Sequence, residues 1–161
     1  MPIAPFALLP ASALAIIKEF ARHILRRPVV GIAAAARASD GRWLLIRRAD
    51  TGTWALPGGT LEWGETLTVA LSRELEEESG VTSFELVRVV GVYSRPDRDP
   101  RFHAVTVVVE VLIEPPQKPP QNPLEIREAR LFREDELPQS LALQMDDLFA
   151  AARRSDATAL E

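Results

Sequence analysis

Six glutamates and a single arginine crowd the stretch from Gly59 to Val81, and no helix gains stability from such a composition. The glutamates are Glu62, Glu65, Glu74, Glu76, Glu77 and Glu78, and the arginine is Arg73. Like charges at helical spacing repel one another, and the last glutamates would lie at the negative end of the helix dipole. A bound divalent cation that carries a phosphate chain is the simplest group that would offset this cost.

The positions of the glutamates on a helix support this interpretation. With a rotation of about 100° per residue, Glu74, Glu77 and Glu78 share one arc of roughly 100°. Glu78 projects within the leucine stripe of the same helix, where an unpaired carboxylate would be desolvated or would bind a proton. Hard divalent cations prefer several oxygen ligands, so these glutamates are candidate metal ligands. Arg73 is offset from the arc and can hold a neighbouring carboxylate in one rotamer.

The turn before this helix, Pro57-Gly58-Gly59, allows the backbone to approach a ligand closely because glycine has no Cβ. A carbonyl group of the turn could complete the coordination of a metal ion. The competing interpretation is an ordinary surface helix with a solvated, glutamate-rich face. The glycine turn, Glu65 and Arg73 at these spacings disfavour that alternative.

Composition limits the class of protein. The chain has 161 residues, of which 47% are hydrophobic and 26% charged, which is typical of one soluble domain. A net charge of −4 argues against a broad nucleic-acid-binding surface, so no nucleic-acid partner is expected. The chain has no cysteine, which fits a reducing compartment, and we expect a cytoplasmic location.

Apolar periodicity and turn residues predict a mixed sheet between helical layers, which is an α+β fold. Strands are expected at 29–37, 43–46, 84–94, 102–113 and 126–132, and helices at 11–26, 65–79 and 139–153. Gly80 is expected to cap the middle helix, and the proline-rich segment 114–123 to form a loop.

The predicted organisation has three parts: an N-terminal amphipathic helical extension at 1–27, the main domain at 28–154 and a frayed tail at 155–161. The extension is interrupted by charges and is too short to span a bilayer. We expect its apolar stripe to pack on the domain or on a second subunit, so that a homodimer is possible. A membrane-surface helix is the minority alternative.

The spacing Gly59-x5-Glu65-x7-Arg73-Glu74-Leu75-x-Glu77-Glu78-x-Gly80-Val81 resembles the Nudix box at every defined position. The resemblance implies an α/β/α sandwich and hydrolysis of a nucleoside diphosphate linked to another moiety, with Mg²⁺ or Mn²⁺. It also implies that Glu74 and Glu78 are the main metal ligands, assisted by Glu77 and the Gly58 carbonyl, and that Arg73 orients them. The general base in this family is either Glu74 or a glutamate of a late loop, here Glu125 or Glu128.

The sequence limits the type of reaction more narrowly than it limits the substrate. The segment 91–103 resembles that of ADP-ribose pyrophosphatases, with Pro96 in the position of their marker proline. Its arginines, Arg95, Arg98 and Arg101, could bind a diphosphate or pair with Asp97 and Asp99, and both alternatives stay open. Trp54 and Phe102 are candidate stacking groups for the substrate.

ADP-ribose or a related nucleoside diphosphate sugar is therefore the expected substrate. Two alternatives remain: a house-cleaning hydrolase of nucleoside triphosphates, and a Nudix domain that binds nucleotides as a sensor without cutting them. Such sensors usually lose glutamates of the box, and this chain keeps them all.

Overall fold

The structure is a computed structural model that describes residues 11–25 and 27–161. The helices of this part of the chain are α1 (Ala11–Leu25), α2 (Leu67–Ser79) and α3 (Asp146–Arg153). The strands are β1 (Val29–Ala38), β2 (Trp43–Arg48), β3 (Trp54–Ala55), β4 (Gly58–Thr60), β5 (Phe84–Tyr93), β6 (Ala104–Ile113), β7 (Ile126–Phe132) and β8 (Ala159–Leu160). Short 3-10 turns lie at Glu134–Glu136 and Ala142–Gln144.

The strands form one mixed sheet in the order β3-β2-β1-β6-β5-β8, with β4 paired to β1 and β7 paired to β2. The pairs β1–β6 and β5–β8 are parallel, and the other pairs are antiparallel. The predicted hairpin between β1 and β2 is confirmed, although the two strands pair only next to their turn. The sheet is therefore mixed, as the sequence predicts.

Strand β1 lies at the centre of the sandwich and is buried on both faces. Ala34 and Ala36 pack in the cluster that contains the leucines of α2, whereas Ala33 and Ala35 pack in the cluster that contains Phe149 of α3. This alternation follows from the two-residue period of a strand. The small alanine side chains allow both helices to approach the sheet, and the resulting α/β/α arrangement confirms the predicted fold class.

The sheet divides along one edge of β1, and this division creates a cleft. Residues 31–33 of β1 pair with β4, whereas residues 36–37 pair with β2. Beyond that point the same edge of β2 pairs with β3, while β7 pairs with β2 along its other edge. The glycine turn at the start of β4 therefore lies at the opening between two diverging parts of the sheet.

Helix α2 has a defined start and end. The Thr66 hydroxyl accepts a hydrogen bond from the Val69 amide at 3.3 Å and caps the N-terminus. Gly80 adopts a left-handed conformation with φ 71°, as predicted for a C-cap, and its amide donates to the Glu76 carbonyl. The proline-rich loop supplies amides of Gln117 and Gln121 to carbonyls of this helix end. The helix is thereby fixed at both ends.

The C-terminal part of the chain differs from the prediction in two ways. The predicted helix 139–153 is wrong in its first half, because Leu143 and Gln144 have φ values of 55° and 52°, which are incompatible with a right-handed helix. The prediction that residues 155–161 fray is also wrong, because β8 pairs in parallel with Gly91 and Val92 of β5.

Helix α1 confirms the predicted N-terminal helix over its described residues, while residues 1–10 and residue 26 lie outside the described part of the chain. Its side chains at 14–20 are all exposed, so the other described residues do not cover this part of the stripe. Packing against a second subunit stays a prediction. No described helix is both long and apolar enough to cross a bilayer.

Candidate active and metal-binding site

Two connected chambers occupy the cleft beside β1 and share Gly58, Gly59 and Glu78 in their common wall. The larger, which we call the polar chamber, has a volume of about 440 Å³. The residues that distinguish it are Asp50, Glu74, Leu124, Glu125 and Ile126. The smaller, the apolar chamber, continues past Ile46, Ala55, Leu143 and Met145. The cleft thus joins a charged end to an apolar end.

Arg73 organises the carboxylates around it. Its Nε and Nη2 donate to both oxygens of Glu65 at 2.8 and 2.9 Å, which is a bidentate pair. Its Nη1 donates to Glu74 at 2.8 Å, and Nη2 also donates to the Thr60 carbonyl at 3.1 Å. The guanidinium lowers the pKa of Glu65 to about 2. Arg73 therefore connects α2 to the glycine turn and holds Glu74 in one position.

Glu78 lies at the junction of the two chambers. Its Oε2 accepts a hydrogen bond of 2.8 Å from the Gly58 amide, which places the carboxylate directly under the glycine turn. Burial, with a smaller contribution from the nearby Glu74 carboxylate, raises the pKa of Glu78 to about 8. A single backbone amide offsets little of the free-energy cost of desolvating the Glu78 carboxylate. A positive charge beside it would therefore stabilise its ionised form.

Glu74 experiences a similar environment. Burial raises its pKa, whereas the hydrogen bond from Arg73 acts in the opposite direction. Its carboxylate lies against the Cα of Gly59, and a Cβ at that position would overlap with the carboxylate. The glycine is thus the residue that leaves room for Glu74 in the polar chamber.

The other predicted metal ligands and bases are placed less favourably. Glu77 is 46% exposed and does not line the polar chamber, although it lies 3.5 Å from the Arg73 nitrogen that also contacts Glu74. Glu125 lines the polar chamber with Glu74 and Glu78. Glu128 pairs with Arg47 across β2 and β7 at 4.0 Å and does not line either chamber. Of the two late glutamates, the structure brings only Glu125 to the site.

The three arginines of the 95–101 loop have carboxylate partners within the chain. Arg95 pairs with Asp97 at 2.9 Å, and Arg101 pairs with Asp99 at 2.7 Å, as the alternative interpretation predicts. Arg101 still lines both chambers and is half exposed, so it can reach a ligand.

Arg98 requires a correction as a substrate-binding residue. It is 8% exposed, and its guanidinium pairs with Asp147 at 2.7 Å and with Glu161 at 2.5 Å. These partners lie on α3 and in the C-terminal tail, far along the chain, so local spacing gives no sign of them. A guanidinium held by two carboxylates is not available to a diphosphate.

The two predicted aromatic residues are separated by the fold. Phe102 lines both chambers beneath Arg101, whose guanidinium carbon lies 5.1 Å from the ring centroid. Trp54 packs edge-on against Phe132 at 4.7 Å between centroids and lines neither chamber. Its assignment as a stacking group is therefore wrong in this structure, since the ring belongs to the core.

Sequence reasoning missed several residues of the cleft. Arg48 lines both chambers, and the ion pair that it forms with Asp50 at 2.6 Å lowers the pKa of Asp50 to about 2. Leu143 and Met145 line the apolar chamber. Arg48 is brought to the site by strand pairing, and the two apolar residues by a turn, so motif spacing does not identify them.

The residues of the polar chamber fit a divalent cation. Among the described residues, no group of three histidine, cysteine, aspartate or glutamate side chains is already assembled around one point. Two carboxylates, Glu74 and Glu78, share the chamber and both have raised pKa values. Mg²⁺ in proteins is usually held by one or two carboxylates together with water and substrate phosphates. This donor set suits such a site.

The raised pKa of Glu78 predicts that the metal-free protein loses stability as the pH rises. Between the unfolded value near 4.5 and the folded value near 8, the folded state binds a proton that the unfolded state does not. The free energy of unfolding should therefore fall through this range, and Glu78→Gln should remove most of that fall, leaving the part that comes from the raised pKa of Glu74. Since Glu78 keeps some contact with water, we expect a difference of about 2 kcal/mol between pH 5 and pH 8.5. Urea unfolding in EDTA measures it.

Glu76→Gln is the matched control, because Glu76 lies on the same helix and pairs only with Lys118 at the surface. The lowered pKa values of Asp50, Glu65 and Glu161 act below pH 4.5 and do not contribute in this range. Added Mg²⁺ should stabilise the unsubstituted protein more at pH 8.5 than at pH 5, since metal and proton compete. An equal pH dependence in Glu78→Gln and in the unsubstituted protein would contradict the assignment.

Comparison with known proteins identifies the family. The NUDIX domain matches residues 25–152. An ADP-ribose pyrophosphatase of Methanocaldococcus jannaschii is 46% identical over 72 residues, which cover 43% of this chain and 42% of that protein. An RNA pyrophosphohydrolase of Caulobacter vibrioides is 46% identical over 68 residues, which cover 40% of this chain and 38% of that protein. The matches thus span less than half the length of these curated relatives.

A solved structure extends the likeness to nearly the whole chain. The MutT NUDIX hydrolase of Burkholderia pseudomallei is 31% identical, with a TM-score of 0.62, and the match covers 80% of this chain and 98% of that one. The domain match includes the glycine turn and helix α2. The chain belongs to the NUDIX family.

Proposed function

We propose that this protein hydrolyses the diphosphate linkage of a nucleoside diphosphate derivative, with ADP-ribose or a related nucleoside diphosphate sugar as its substrate. The observation that carries the proposal is the pair of partly buried carboxylates, Glu74 and Glu78, under the glycine turn of a cleft with a polar and an apolar end. Such a substrate has the same division, since a charged diphosphate joins an uncharged nucleoside to a sugar. The similarity to an ADP-ribose pyrophosphatase supports the substrate class.

Glu74 and Glu78 would hold Mg²⁺ or Mn²⁺, with Glu77 and the Gly58 carbonyl as further candidate ligands. A divalent cation in this position neutralises diphosphate charge and lowers the pKa of a bound water. Arg73 keeps Glu74 oriented through the contact at 2.8 Å. Arg48 and Arg101 line the polar chamber and can donate to phosphate oxygens.

The proton of the attacking water needs an acceptor within the same chamber. Glu125 meets this requirement, because it lines the polar chamber and, among the described residues, no guanidinium holds it as Arg73 holds Glu74. The water oxygen bonds to one phosphorus, the bond from that phosphorus to the bridging oxygen breaks, and Glu125 takes one water proton. The products are a nucleoside monophosphate and a sugar phosphate.

A panel of substrates tests the proposal. ADP-ribose, other nucleoside diphosphate sugars, nucleoside triphosphates and a 5′-triphosphorylated RNA are incubated separately with Mg²⁺ and with Mn²⁺, and the products are separated by chromatography. We expect AMP and ribose 5-phosphate from ADP-ribose as the most rapid reaction. Faster release of pyrophosphate from a triphosphate would instead support the second candidate, a triphosphate pyrophosphohydrolase, which the similarity to an RNA pyrophosphohydrolase favours. Binding of ADP-ribose without turnover would indicate a sensor.

A further inference from the structure

Two consecutive residues beside the apolar chamber adopt an unfavourable backbone conformation. Leu143 and Gln144 have φ values of 55° and 52°, in the left-handed region that side chains other than those of asparagine and aspartate rarely occupy. Such conformations persist only where surrounding contacts enforce them, and they concentrate at ligand sites. The Leu143 side chain lines the apolar chamber together with Met145. The turn therefore places an apolar side chain in the cleft.

Three hydrogen bonds from the 95–98 loop hold this turn, and all of them involve Gln144. Arg98 Nη1 donates to the Gln144 carbonyl at 2.8 Å, and Arg95 Nη2 donates to the Gln144 side-chain oxygen at 2.6 Å. The Gln144 side-chain Nε2 donates in turn to the Asp97 carbonyl at 2.8 Å. The loop and the turn consequently form one wall of the cleft.

Arg98 is the buried centre of this wall. It forms a bidentate pair with Asp147 at 2.9 and 2.7 Å, and further hydrogen bonds with Glu161 at 2.5 and 3.1 Å. The Glu161 carboxylate also accepts hydrogen bonds from the Ser94 and Arg95 amides. Arg98 thus ties the turn to α3 and to the segment that follows β8. None of these contacts involves Glu74 or Glu78.

We infer that Arg98 is a positioning residue, which holds the Leu143–Gln144 turn in place so that Leu143 and Met145 grip the nucleoside part of the substrate. The inference rests on the proposed function, because it assigns the diphosphate to the polar chamber of about 440 Å³ and the apolar face of the nucleobase to the apolar chamber of about 100 Å³. Flat apolar faces of a nucleobase suit a wall of Leu143, Met145 and Ile46. Because Arg98 lines neither chamber and contacts neither Glu74 nor Glu78, it sets KM rather than kcat.

Arg98→Lys tests this inference. Lysine keeps the positive charge but presents a single ammonium, which cannot reproduce the fork that joins Asp147, Glu161 and the Gln144 carbonyl. We expect KM for ADP-ribose to rise about tenfold while kcat stays within about twofold. Glu161→Gln, which leaves the Asp147 pair intact, should raise KM by about threefold. Steady-state kinetics on folded samples, checked by thermal unfolding, gives both constants.

A double-mutant cycle with Leu143→Ala distinguishes positioning from a general loss of structure. If Arg98 acts through Leu143, the Arg98→Lys substitution should have almost no further effect on KM in the Leu143→Ala background. Calorimetric affinity of the metal-free protein for ADP-ribose should show the same non-additivity, which is independent of turnover. Additive effects of the two substitutions would overturn the inference.

Asp156→Asn is the matched control, because Asp156 lies in the same tail and its carboxylate pairs with Arg154 instead of Arg98. It should leave KM unchanged. An unchanged KM in Arg98→Lys, or an equal rise in Asp156→Asn, would refute the positioning role while the proposed function stands. If the unsubstituted protein cuts no nucleoside diphosphate compound, the proposed function fails and the inference fails with it.

Discussion

Glu78→Gln and Glu74→Gln are each expected to lower kcat for ADP-ribose by a factor of about a hundred to a thousand. An amide has nearly the shape of a carboxylate but lacks its charge, so the substitution removes the anionic oxygen that a divalent cation requires. Both side chains line the polar chamber, and the Glu78 carboxylate accepts a hydrogen bond from the Gly58 amide. The effect should be on turnover with little change in fold, because neither carboxylate is part of the apolar core.

The measurement is kcat at a fixed Mg²⁺ concentration that saturates the unsubstituted protein, with each variant confirmed as folded by circular dichroism. Glu76→Gln is again the appropriate control, since it makes the same chemical change on α2 at a residue outside the chamber. It should keep kcat within about twofold of the unsubstituted value. Raised Mg²⁺ or Mn²⁺ should restore part of the activity of a ligand variant, but not that of a variant that has lost its general base.

Glu125→Gln is the variant that loses the proposed general base. Its loss of activity should be reduced at high pH, where hydroxide replaces the water that needs a base. Near-normal kcat in both Glu74→Gln and Glu78→Gln would reject the metal site, whatever Glu125→Gln shows.

The sequence predicts the central part of this site because the relevant contacts are local. Arg73, Glu74 and Glu78 lie within two turns of one helix, and the glycine turn is a strong local signal. The period of the pattern therefore fixes which carboxylates share a face. The contact of Arg73 with Glu74 follows from the same reasoning.

Long-range contacts explain what the sequence does not predict. Arg98 lies in a loop of alternating arginine and aspartate, and local spacing suggests Asp97 or Asp99 as its partner. The structure gives it Asp147 and Glu161 instead, because β8 pairs with β5 and brings the tail beside the loop. No pattern within a short window shows such a pairing.

The 139–153 segment illustrates a different failure. Its apolar residues recur at helical spacing, which predicts a continuous helix. This spacing carries no information about the backbone conformation at Leu143 and Gln144. There, hydrogen bonds from the 95–98 loop hold the chain in a left-handed turn. The same residues that break the predicted helix form the wall of the apolar chamber, so the error coincides with the substrate cleft.

Alanine at Gly58 and alanine at Gly59 should have opposite consequences, although the two residues are adjacent. Gly58 has φ 153°, and a Cβ there would overlap with the Ile32 carbonyl of β1. The backbone of a central strand cannot move aside, so Gly58→Ala should cost about 3 kcal/mol of stability. At Gly59 the overlap is with the Glu74 carboxylate, which can rotate away. Gly59→Ala should therefore lower kcat about a hundredfold and stability by less than about 1 kcal/mol.

Urea unfolding and steady-state kinetics on both variants separate these effects. The two variants serve as controls for each other, because both replace glycine by alanine. The new methyl group meets strand backbone at Gly58 and the end of a flexible side chain at Gly59. Gly31, whose Cβ would meet the Gly59 carbonyl at 3.0 Å, should give a smaller loss of stability on substitution by alanine. A Gly59→Ala variant with full activity would mean that Glu74 need not occupy the space beneath the turn, and the role assigned to that carboxylate would have to be abandoned.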